Sequence, residues 1–138
     1  DPRHRSSGIL PQAEMVYFEM GDENRGRELI IKAIGNQEIQ GQERFNTLKK
    51  CAQHAMSKGQ QSEAIDWYAL LEELQVSKSD QRDRYLSQAY YEMGKIEESR
   101  GRTAQAKTHY RKAIELDDGE MRFRARARDA LESIEYFE

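Results

Sequence analysis

The chain of 138 residues is poor in whatever would give it a covalent or catalytic framework. Its one cysteine, Cys51, excludes an internal disulfide and any cysteine-rich metal site. Both prolines precede residue 12, so the strongest helix breaker is missing from everything that follows. No apolar run approaches the ~18–20 residues that cross a bilayer, and no membrane insertion is expected. Charge of one sign is also missing: 22 lysines and arginines face 25 aspartates and glutamates, and a net charge of −3 points neither to nucleic acid nor to an anionic membrane. There is no glycine-rich phosphate loop. His4, His54 and His109 share no ligand spacing with one another or with Cys51. Glu72–Glu73, Glu97–Glu98 and Asp117–Asp118 have no nucleophile or electrophilic stabiliser paired with them, as catalysis would require. We therefore expect no catalytic residue, no metal and no cofactor.

What is present is helical material. The chain is 34% charged and 37% hydrophobic, and is rich in alanine, leucine, glutamate, glutamine, lysine and arginine. Residues 1–8 read as a flexible polar tail, and residues 9–138 as one helical domain. A first helix opens near residues 9–11, carries Leu10, Ala13 and Tyr17 at i, i+3, i+7, and stops at Gly21. Asp22 can cap a second helix with Leu29, Ile30, Ala33 and Ile34 on one stripe. Phe45, Leu48, Cys51, Ala52 and Ala55 mark a third helix, up to Gly59. Ala64, Trp67, Tyr68 and Leu71 mark a fourth. Ser77 and Asp80 have the spacing of a capping box before a long fifth helix that runs to Arg100. The sixth follows Gly101, with a break at Asp118-Gly119. The seventh, over residues 120–137, places Phe123, Ala127, Ala130, Leu131, Ile134 and Phe137 on one side. No segment reads as a strand.

Aligning Gly21, Gly59 and Gly101 brings the helices into register. Five residues on stand Gly26, Ala64 and Ala106, all small; four further on stand Ile30, Tyr68 and Tyr110, all large. Upstream lie Leu10, Leu48 and Tyr90, then Ala13, Cys51 and Met93. Small residues let the helices of one hairpin approach, and large ones fill the holes between hairpins. This pattern, best seen in YFEMGDENRGRELIIKAI, GQQSEAIDWY and GRTAQAKTHYRKAIELDD, resembles the tetratricopeptide repeat. The resemblance implies an all-α, right-handed α-solenoid of stacked hairpins, with repeats at about 8–40, 45–78 and 80–118 and a capping helix at 120–137. It departs from the family in a glycine spacing of 38 and 42 residues and in lacking the final proline. Glu14 also stands in the slot of Ala52 and Gly94, and Glu97 in that of Tyr17. The first repeat is the loosest and reads as an incomplete remnant of a longer array.

The resemblance implies a non-catalytic protein-interaction module that receives a peptide or helix of another protein in a concave groove. Carried over by slot, that groove holds Met15, Phe18, Glu19, Lys49, Gln53, Met56, Tyr91, Lys95 and Glu98. Phe18 and Tyr91 have a competing role as packing residues against the next hairpin. Family members that clamp a chaperone's terminal carboxylate use slots held here by Pro11, Met15, Lys50, Gln88 and Glu92; only Lys50 suits that ligand. A regulatory or sensory region of a larger signalling protein is the alternative reading. The run Arg122, Arg124, Arg126 and Arg128 is the alternative site, a basic cap that would make the chain a nucleic-acid binder. That reading is disfavoured, because a period of two scatters the arginines around a helix and acids including Glu132 and Glu135 flank them. Leu10, Tyr17, Leu29 and Ile30 are expected to leave an apolar patch at the N-terminal end, available for self-association.

Overall fold

The turns after the first, third and fifth helices are made by Gly21, Gly59 and Gly101, at φ of 72°, 75° and 74°. That left-handed backbone costs other residues strain, which is why glycine recurs there. The computed structural model describes residues 9–36, 38–73, 82–116 and 122–138. Helix α1 covers residues 9–19, beginning α-helical and ending in a π turn over Met15–Glu19. It is followed by α2 (Glu23–Ile34), α3 (Gly41–Ser57), α4 (Gln61–Glu73), α5 (Arg82–Ser99), α6 (Thr103–Glu115) and α7 (Arg122–Phe137). The described residues are all helix and connection, without a strand. The capping-box spacing of Ser77 and Asp80 and the break expected at Asp118-Gly119 lie outside the described residues.

Each glycine closes its helix through paired backbone bonds. The amide of Gln60 donates to the Ala55 carbonyl (2.8 Å), and that of Arg102 to the Glu97 carbonyl (2.9 Å). After α1 the same closure is one residue wider, Asp22 N–H to the Val16 carbonyl at 3.2 Å, because the π turn inserts a residue. Asp22 then caps α2, its Oδ1 accepting from the Arg25 amide at 3.3 Å. The π turn also explains Gly26: a Cβ there would lie 2.5 Å from the Tyr17 Cα, so this crossing admits no side chain. The equivalent crossings take alanine, and Ala64 and Ala106 are fully buried.

The hairpins α1/α2, α3/α4 and α5/α6 stack in order, and α7 closes the far end against α5 and α6. At the first seam Tyr17 meets His54 and Trp67 edge-on, at 5.2 and 5.7 Å between ring centroids. Arg27 pairs there with Glu63, and Lys58 with Glu23. At the second seam Phe45 stacks on Tyr85 at 5.0 Å. One apolar core runs from Leu10 to Ile96 through these seams, and Ala106, Tyr110, Ala113 and Ala127 make a second between α6 and α7. The described residues form an all-helical repeat solenoid.

Two expectations are corrected by this packing. Leu10, Tyr17 and Ile30 do not form a patch at the N-terminal end: each is at most 1% exposed, turned into the first seam. The apolar side chains that line the open end are Ile9, which is exposed, and Val16 and Leu29, which are half-buried, each about a quarter of a turn around its helix from a buried neighbour. Phe137 is not part of the packed side of α7; it is 82% exposed, next to an equally exposed Tyr136.

Candidate functional site

Helix α5 lies against both α3 and α7, so the odd-numbered helices from α3 onward are neighbours in the stack. The slots read from the sequence fall on these helices at i, i+4, i+7 on α3 (Lys49, Gln53, Met56) and on α5 (Tyr91, Lys95, Glu98). Met15 and Met56 are exposed, at 50% and 36%. Glu19, Gln53 and Lys95 are exposed as well, and Lys49 is half-buried. Phe18 and Tyr91 are also half-buried, and each packs on the next unit. Phe18 meets the His54 ring at 5.2 Å, and Tyr91 lies 6.1 Å from Tyr110 and 6.0 Å from Phe123.

The Tyr91–Phe123 contact joins the groove to the arginine run. Lys95 stands 5.6 Å over the Tyr91 ring and Arg126 5.6 Å over the Phe123 ring, so the aromatic pair is edged by one cation from α5 and one from α7. Phe123 was legible in the sequence only as a packing residue of the cap; its place beside Tyr91 depends on how α7 docks. Glu98 accepts from the Tyr110 hydroxyl at 2.8 Å. Burial, and then that carboxylate, push the Tyr110 pKa well above the ordinary tyrosine range. Glu98 is exposed, with one carboxylate oxygen engaged by that hydroxyl.

Along α7, Arg122, Arg126 and Arg128 are exposed and Arg124 is half-buried. Of the flanking acids, Glu135 pairs with Arg111 of α6 at 3.6 Å; the C-terminal Glu138 pairs with Lys107. Lys50, the residue best suited to a terminal carboxylate, is engaged with Glu14 at 3.5 Å. Cys51 is fully buried, and desolvation pushes its thiol up to about 12. His109 is pushed down by burial and then by Lys112. Among the described residues no three His, Cys, Asp or Glu side chains are grouped to hold a metal ion, and no helix is long and apolar enough to cross a membrane.

Residues 87–119 match the family described as Tetratricopeptide repeat. No curated protein and no solved structure matches the chain.

Proposed function

We propose, from a chain that carries a tetratricopeptide repeat at residues 87–119, that it is a non-catalytic interaction module which takes a peptide or helix of a partner protein along its inner surface. The observation that carries this reading is the exposure of Met15 and Met56 at the slots of α1 and α3, with the half-buried Tyr91 on α5 carrying Lys95 at 5.6 Å over its ring. Large side chains of low conformational entropy concentrate binding energy, and methionine adapts to irregular ligands. Lys95 and Arg126 favour a ligand that carries carboxylates, through association rate and orientation more than through affinity. Preorganised helices also spare the module an ordering cost on its own side.

Peptides selected against the chain from a random display library test the assignment. Met56→Ala combined with Tyr91→Ala should weaken the selected peptides by at least roughly tenfold, with helicity retained by circular dichroism. Lys49→Glu with Lys95→Glu should mainly slow association and flatten its salt dependence. Loss of binding only in Arg124→Glu with Arg128→Glu would move the site to the arginine run of α7.

A further inference from the structure

A second surface lies at the other end of the stack. Between α1 and α2 runs a groove of about 600 Å³, lined by Ile9 and Val16 from α1 and by Leu29 and Ala33 from α2, with Arg25 and Lys32 on its rim. Among the described residues no acidic side chain lines it. Arg25 and Lys32 are exposed, and Ile9 is 41% exposed.

The chain itself shows what this kind of face receives. Moving forward by 38 residues, the spacing of the first two turn glycines, takes Ile9, Val16, Arg25 and Leu29 to Thr47, His54, Glu63 and Trp67. All four of those residues hold hairpin α1/α2 on hairpin α3/α4. Thr47 donates to Glu14 at 2.8 Å, His54 meets Tyr17 and Phe18, Trp67 meets Tyr17, and Glu63 pairs with Arg27. The groove on α1/α2 is thus the same seat one unit earlier, and the occupant of that seat is helical. Its charge is reversed. Where the later seat offers Glu63 to a cation, this one offers Arg25, and Lys32 replaces the apolar Leu70. A second copy seated in the observed manner would bring its Arg27 against Arg25.

We propose that this groove docks an amphipathic helix of a partner protein, with glutamates or aspartates flanking its apolar stripe. From Arg25 to Ala33 the groove follows α2 for about 12 Å, a little over two turns, which is the reach of an i, i+3/i+4, i+7 anchor set. Leucine-sized anchors fill the space over Ala13 and Ala33, and the flanking carboxylates meet Arg25 and Lys32. The site is separate from the inner surface and does not depend on what binds there.

Titration of the full chain, followed by NMR, with two helix-forming peptides tests this. One carries leucines at helical spacing flanked by glutamates, and the other has lysines in place of the glutamates. The glutamate peptide should shift residues 9–16 and 25–36 and bind roughly tenfold tighter than the lysine peptide, the scale of two exposed charge contacts. Arg25→Glu with Lys32→Glu, both at exposed positions, should invert the preference. Equal binding of the two peptides, shifts confined to α3, α5 and α7, or an unchanged preference in the charge-reversed chain would overturn the proposal. A dimer in sedimentation that Leu29→Asp dissolves would assign the groove to a second copy instead. Tighter peptide binding after removal of residues 1–8 would assign it to the chain's own first residues.

Discussion

Gly94 of α5 faces the Tyr110 ring of α6 so closely that a β-carbon there would lie 2.5 Å from Cε1. The ring has nowhere to go: it is 1% exposed and its hydroxyl is held by Glu98. Alanine would gain up to ~1 kcal/mol of helix propensity over glycine, but overpacking a held ring costs more. Gly94→Ala should therefore lower stability by about 1–2 kcal/mol in urea denaturation. The same change made together with Tyr110→Leu should add little further loss, because the two sites are coupled through one contact.

Ala106 occupies the small slot where α6 crosses α5 and is fully buried. Ala106→Leu should destabilise by about 1–3 kcal/mol, since extra methylenes there must displace backbone. Thermal melts at wild-type stability would show that the crossing is looser than described.

Glu97 is buried at 3% exposure, with Arg100 at 3.6 Å and Arg102 at 3.9 Å. Both arginines retain access to water, so removing the acid does not strand a fully buried cation. Glu97→Ala should cost about 2 kcal/mol, below the usual range for a sealed pair. Glu97→Gln, which keeps the shape and drops the charge, should cost less in the same denaturation series.

Stability should fall at alkaline pH. Burial raises the pKa of Cys51, to about 12, and those of Tyr17, Tyr68 and Tyr110. Groups raised in the folded state contribute fully below their unfolded values, near 8.5 for cysteine and 10 for tyrosine, and that contribution is lost as pH rises through the folded ones. The urea midpoint should hold level to about pH 8 and decline from about pH 9 upward. Glu23 works at the other end. Its pKa is lowered, first by the hydrogen bond from Lys58, so its contribution is lost as pH falls through the folded value. A midpoint that rose between pH 9 and 11 would contradict the burial of these groups.

The turn glycines and the small and large slots were readable because both are local. A positive φ selects glycine whatever the surroundings, and helical periodicity repeats within one element. The identity of the open side at the N-terminal end was not, since neighbouring positions on a helix differ by about 100° and only the partner hairpin decides which is covered. Leu10, Tyr17 and Ile30 were thus placed outside when the first seam buries them. Gly26 read as one more small residue, whereas the π turn of α1 makes it obligatory. Glu97 read as a departure from an aromatic slot; its burial beside two arginines depends on side chains across the Gly101 turn. At the candidate site the helix faces were legible from spacing, but the burial of Phe18 and Tyr91 was left open, because each rests on the unit that follows.

Trp67, the one tryptophan, meets Tyr17 across the first seam at 5.7 Å. At that separation Tyr17 passes its excitation to the indole, so emission from Trp67 is a local gauge of this one junction and not an average over the stack. In an architecture where each unit touches only its neighbours, separation can begin at either end. Emission read beside far-ultraviolet dichroism therefore gives the molecule a built-in means of telling from which end it comes apart.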